Sequence, residues 1–168
     1  MDSMGLAGRR PHAFCGARPG AMRKEIYDDF IVANDLHTFK FISKGKKGNI
    51  SKQVLFIPDE ERGFYNLEFG DVRIDGSIDY LTVSNNGDRD KILATIMRIV
   101  DIYTTKYPDR IIYFIGSNTE RIRLYSMMIA LNLEELSVLF NIYAKENKEF
   151  IPFTRNMNST EFLIKRKT

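Results

Sequence analysis

Residues 109–129 read DRIIYFIGSNTERIRLYSMMI, and the fold turns on how this stretch is parsed. Ile111, Ile112, Tyr113, Phe114 and Ile115 are consecutive apolar residues, mostly β-branched or aromatic. A run of that length bounded by turn residues predicts a strand buried on both faces. Gly116 ends it. Ser117-Asn118-Thr119-Glu120 then has the S-x-x-E spacing of a capping box, in which Ser117 accepts from the Glu120 N–H and the glutamate reaches back to the serine N–H. Behind it, Ile122, Tyr125 and Ile129 share one helical face, with Leu124, Met128 and Leu131 beside it. The stretch is a strand, a tight corner and an amphipathic helix whose first turns carry Arg121 and Arg123.

Free N–H groups and the helix dipole attract anions to such an entrance. Asn118, Arg121 and Arg123 are therefore the candidate anion- or partner-binding residues. The competing explanation is an ordinary capped helix whose arginines pair with nearby carboxylates, Glu120 among them.

Upstream, Ile92, Leu93, Ile96, Ile99, Val100, Tyr103 and Tyr107 recur at helical spacing and make one apolar stripe. Asp88 is the N-cap candidate and Pro108 the stop. A helix between two strands predicts a crossover onto one sheet, right-handed as such units are. Further back, Thr38–Ile42, Gln53–Ile57, the run through Phe64, Leu67 and Phe69, and Ile78–Val83 read as strands, separated by turns at Lys44–Asn49, Asp59–Gly63 and Asp75-Gly76. Downstream, Asn132–Glu135 continues the helix or caps another turn. Ser137–Tyr143 reads as strand, Phe150–Phe153 is interrupted by Pro152, and Glu161–Ile164 is a closing strand. The predicted class is α+β: an antiparallel meander of about four strands, then helix-strand-helix-strand-strand, in one mixed sheet with two main helices.

The length, 168 residues, predicts one domain with a substantial core. Residues 1–21 differ from the rest, being rich in Gly, Ala, Arg and Pro and without periodicity. They are expected to be a disordered leader or a non-native extension, leaving 22–168 as a single α+β domain. That leader holds Arg9, Arg10 and Arg18 against Asp2, so only +1 of the formal charge of +3 remains for the domain. No strong basic field favours nucleic acid. No apolar run has the length to span a membrane. One cysteine, Cys15, excludes an intramolecular disulfide and fits a cytoplasmic location. With His12 and His37 it makes no metal-ligand cluster, so no metal is expected. Asp71, Asp75 and Asp79 recur every four residues but lack the D-x-[DN]-x-[DN]-G pattern of a calcium loop and read as solvated turn residues. Lys44-Gly45-Lys46-Lys47-Gly48 lacks the G-K-[ST] and following helix of a phosphate loop, and reads as a hairpin tip.

The order strand, helix, strand, helix, strand, strand after a meander resembles that of GNAT-type acetyltransferases. Asn118-Thr119-Glu120-Arg121-Ile122-Arg123-Leu124-Tyr125 is similar to their N-x-x-A-x-x-L-Y helix. The resemblance implies acetyl-CoA as cofactor and Tyr125 as general acid toward the departing thiolate. The Q/R-x-x-G-x-G/A phosphate loop of that family is not present at Ser84–Arg89. Only Gly87 matches, and Asp88 would repel a pyrophosphate. Residues 23–167 also resemble, through the IYDDF start at Ile26, the hairpins and the GSN-x-x-R-I-R-L-Y segment, a family of small uncharacterised bacterial proteins, a domain of unknown function. That resemblance implies no activity.

Three functions follow as expectations. The first is a non-enzymatic interaction or regulatory module without cofactor, binding an unknown protein partner or itself. The second is a degenerate GNAT-like acyl-CoA-dependent N-acyltransferase, with an acyl-CoA-sized cleft beside Asn85–Arg89 that Tyr125 faces. The third is a single-stranded nucleic-acid binder using Lys44–Lys47, Arg73 and Lys165–Lys167.

Overall fold

A computed structural model describes residues 25–168, so the leader expected at 1–21 lies outside the described residues. The rest is α+β, one mixed sheet of nine strands and three α-helices. In chain order these are β1 (Ile31–Val32), a short 3-10 turn, β2 (Thr38–Gly45), β3 (Gly48–Asp59), β4 (Phe64–Val72), β5 (Ile78–Asp79), α1 (Arg89–Lys106), β6 (Ile111–Ile115), α2 (Thr119–Leu131), α3 (Leu133–Leu139), β7 (Phe140–Glu146), β8 (Glu149–Pro152) and β9 (Glu161–Arg166). Across the sheet the order is β1-β2-β3-β4-β6-β9-β7-β8, with β5 added to β4. Neighbours are antiparallel except β4 and β6, which α1 joins as parallel strands.

Two segments depart from the sequence expectation. Ser137–Leu139 is helical, the end of a third helix that the sequence reading gave to a strand; the strand starts only at Phe140. Glu134 and Glu135 in the first turn of α3 suit its positive end, and its single buried side chain, Leu136, anchors it. The fourth meander strand shrinks to Ile78–Asp79, because Asp79 turns its carboxylate onto the N–H groups of Leu81 and Thr82 and bends the chain away.

All three helices cover one face. The registers place Phe56, Leu67, Ile112 and Phe114 on that face, where Tyr103 of α1 stacks on Phe56 at 3.8 Å between centroids and Tyr125 of α2 meets Phe114 edge-on at 5.1 Å. Leu136 of α3 joins the same core beside Phe140. The opposite face carries no helix. Its best-covered residue is Tyr113, shielded by the Phe64 ring and the Arg62 guanidinium and bonded through its hydroxyl to Glu161 at 2.7 Å.

The β2–β3 hairpin turns on Lys46-Lys47, with Gly48 at φ 91° as a tight turn requires. Its tip is not simply solvated. Lys46 and Lys47 donate backbone N–H groups to Asn86, at 3.1 and 2.6 Å, which folds the tip onto the loop before α1.

Candidate functional site

Most seams of this sheet are laddered along their length; the β4–β6 seam is not. Those parallel strands pair at only two positions, Tyr65↔Ile112 and Asn66↔Tyr113. Beyond them β4 runs on through Leu67–Gly70 paired only to β3, and Phe114 and Ile115 of β6 pair only to β9. The facing edges open into a gap.

The corner after β6 decides what enters the gap. A Cβ on Gly116 would lie 2.6 Å from the backbone nitrogen of Ile122, so only glycine lets α2 fold back this closely. The N-cap is Asn118 and not Ser117: its side chain accepts from the Arg121 N–H at 2.9 Å, and its amide donates to the Leu81 carbonyl at 3.1 Å. The predicted capping box is thus replaced by an asparagine cap one residue later. The shift puts Arg121 on the inward face of α2 with Leu124, Tyr125 and Met128.

Arg121 is 1% exposed. Its Nη2 donates to the Thr82 carbonyl at 3.0 Å, and its guanidinium lies 5.1 Å from the Phe69 ring centroid. Its Nε and Nη1 are buried and make no well-formed hydrogen bond, although the Tyr125 hydroxyl lies close enough to interact with the guanidinium. No carboxylate among the described residues comes within the 4.0 Å that defines an ion pair. Glu68, the nearest charge to act on it, is itself raised in pKa by burial, with Arg121 drawing it partly back. Across β4 and β6, Asn66 Oδ1 is a further buried acceptor without a partner.

The other predicted site residues separate. Tyr125 is 4% exposed; burial pushes its phenol up, the Arg121 charge opposes this and Glu68 adds to it. Asn118, Arg121 and Tyr125 thus converge on the gap. Arg123 is exposed on the outer side of α2 and does not join them.

One segment escaped the sequence reading as a site element: Tyr80–Ser84, expected to be mostly strand. Leaving β5, it runs beside β4, so close that a Cβ on Gly70 would lie 2.6 Å from the Asp79 carbonyl oxygen. It spans the gap as a strap held by side chains: Asn118 to Leu81 O, Arg121 to Thr82 O, Lys47 Nζ to Ser84 O at 2.7 Å and Lys52 Nζ to Ser84 Oγ at 2.7 Å. Asp79, its pKa lowered by the Leu81 N–H, then by the Thr82 hydroxyl and the Thr82 N–H, fixes its entrance.

Beside the strap a cavity of about 40 Å³ is lined by Lys52, Phe69, residues 82–86, Arg89, Ile92 and Leu124. Lys52 is 2% exposed and bound to Asp71 at 2.5 Å. The same ammonium donates to Ser84 Oγ. Asp88 flanks α1 without capping it; Oδ2 instead accepts from Tyr27 and Ser43, at 2.5 and 2.6 Å. A carboxylate therefore stands where the transferase resemblance would have a pyrophosphate.

Among the described residues no group of three or more His, Cys, Asp or Glu side chains is placed to hold a metal ion. No helix among the described residues is long and apolar enough to cross a membrane. Of the basic tail, Arg166 is taken by Asp101, and the Lys165 ammonium by the Pro108 carbonyl at 3.3 Å. His37 belongs to a cluster in which Arg110 packs on Tyr107, 3.6 Å from its centroid, and bonds Tyr103 OH.

The profile of a family described as of unknown function matches residues 23–167. No curated protein and no solved structure matches the chain.

Proposed function

Taking as premise that the chain belongs to the DUF6934 family, whose function is unknown, we propose that it is a non-catalytic binding module that takes an anionic group on Arg121, in the gap between β4 and β6. One observation carries this: a guanidinium 1% exposed, with no paired carboxylate and no well-formed hydrogen bond at Nε and Nη1. Desolvating an unpaired cation costs several kcal/mol, so such groups are kept where a ligand compensates them. Asn118 positions the arginine by capping α2, and the α2 dipole adds to its field.

Binding is favoured over acyl transfer by the space and by the acid. A cavity of about 40 Å³ holds a water molecule or two, far less than the 300–1,000 Å³ typical of small-molecule sites. Tyr125 faces core and guanidinium instead of a cleft. The test is thermal unfolding with acetate, glutamate or phosphate at about 10 mM and constant ionic strength, against acetyl-CoA at 1 mM. At least one small anion should raise Tm in the wild type and not in Arg121→Lys, which keeps the charge but loses the fork. If none does, the proposal fails. A shift by acetyl-CoA alone would favour the transferase instead.

A further inference from the structure

The strap shows what shape of ligand the gap accepts. Tyr80–Ser84 has no backbone–backbone hydrogen bond to β4 or β6, although Tyr80 passes beside Gly70 of β4 and the next two residues reach Asn118 and Arg121 at the start of α2. What it offers the gap is two successive carbonyl oxygens, Leu81 O to Asn118 and Thr82 O to Arg121. The second sits on the arginine whose Nε and Nη1 make no well-formed hydrogen bond. A chain that ended at the position of Thr82 would present a carboxylate there in place of a carbonyl. That adds one oxygen and the missing negative charge on the same guanidinium, in the bidentate geometry arginine favours.

We infer that the gap is a receptor for the free carboxyl terminus of an extended peptide, and that the Tyr80–Ser84 strap is a pseudo-ligand the peptide displaces. The inference rests on Arg121 being an anion receptor. Strand edges supply the backbone part of such recognition: β4 from Leu67 to Gly70 and β6 at Phe114 and Ile115 have ladder groups free on the gap side. The exposed Lys46 and Lys47 beside the strap favour an incoming carboxylate over an incoming amine. The strap competes as a tethered segment, at an effective concentration on the order of millimolar. Wild-type protein should therefore bind such peptides weakly, and loosening the strap should tighten binding.

The probe is the strap's own sequence, the pentapeptide IDYLT of residues 78–82, as the free acid and as the C-terminal amide, fluorescently labelled at the amino end. Binding is read by anisotropy to wild type, Asp79→Ala and Arg121→Lys. Hydrogen exchange of residues 80–84 is followed in parallel. Asp79→Ala removes the cap on the Leu81 and Thr82 N–H groups. The acid should bind about 10-fold tighter than the amide. Asp79→Ala should tighten both several-fold, Arg121→Lys should reduce the preference for the acid below about 3-fold, and strap amides should exchange faster on binding. Equal binding of acid and amide, or no binding to Asp79→Ala at millimolar peptide, overturns the inference. If glutamate or phosphate still raises Tm through Arg121, only the peptide claim falls. If acid and amide bind equally and Arg121→Lys changes nothing, the anion proposal falls with it.

Discussion

Replacing Arg121 by methionine should stabilise this protein while abolishing anion binding. On the losing side is one bond to the Thr82 carbonyl at 3.0 Å. Thr82 is exposed, so water takes over and the net loss is about 0.5–1.5 kcal/mol. The contact with Phe69 at 5.1 Å contributes about 0.5–1 kcal/mol more. On the gaining side, burying this guanidinium costs several kcal/mol, because it has no carboxylate partner and Nε and Nη1 make no well-formed hydrogen bond to the protein. Methionine keeps an unbranched stem, retains helix propensity and fills the irregular space. The balance is a gain of about 1–2 kcal/mol, within the range seen when buried charges give way to apolar residues. For a chain of this length that raises Tm by about 2–8 °C. Urea unfolding at pH 7 with an unchanged m-value is the assay, with calorimetry as the second measure. A loss of more than about 1 kcal/mol would refute the reasoning. It would mean that Arg121 is compensated within the folded chain and holds the gap shut as a structural keystone.

Four other outcomes follow from the same geometry. Glu68 has a folded-state pKa raised by burial above the ordinary 4.5, so the folded state binds the extra proton between those values. Stability should fall as pH rises from the unfolded pKa through the folded one, and Glu68→Gln should flatten that slope in urea midpoints measured from pH 4 to 8. Gly116→Ala places a Cβ 2.6 Å from Ile122 N and should cost about 1–3 kcal/mol by urea unfolding, with faster hydrogen exchange in α2 reporting its displacement. Phe56→Ala removes the ring stacked 3.8 Å from Tyr103 and should cost about 3–5 kcal/mol by the same assay, leaving any anion binding intact at temperatures where the variant is folded. Lys52→Met leaves the partly buried Asp71 unpaired and should cost up to about 3–5 kcal/mol, part of which the double change Lys52→Met, Asp71→Leu should recover.

The sequence carried much of the fold because its patterns are local. The apolar run Ile111–Ile115, the stripe from Ile92 to Tyr103 and the Gly45–Gly48 tip each follow from spacing and turn chemistry, and the structure has β6, α1 and the β2–β3 turn there. Misreadings fell where long-range contacts override local preference. Ser137-Val138-Leu139 has β-type residues, yet closes a helix because Asn132, buried at 1%, restarts the chain and Leu136 anchors it. Thr82 and Val83 have β propensity, yet Asp79 turns the chain off β4. The candidate site was half legible. The spacing of Asn118, Arg121 and Tyr125 marks them as neighbours on a helix, but whether Arg121 or Arg123 points inward depends on which residue caps α2. With Ser117 as cap the two arginines look alike; with Asn118 as cap one is buried and the other exposed.

The gap is a place where this fold departs from economical packing, and the departure has a direction. A two-residue parallel pairing next to a helix entrance could have been closed by apolar side chains, as the neighbouring seam is by Phe114 stacked on Phe162 at 5.4 Å. Here the chain instead places a guanidinium without a carboxylate partner, a carboxyl raised by burial, an unpartnered amide oxygen on Asn66 and a strap without backbone bonds to either strand. Each alone is a tolerable defect of order 1–3 kcal/mol. Together they make one local region that is less stable than the sheet around it, and such regions open most readily. Opening the strap exposes the Arg121 donors and the strand edges, while Lys52 stays held by Asp71 and Asp88 by Tyr27 and Ser43.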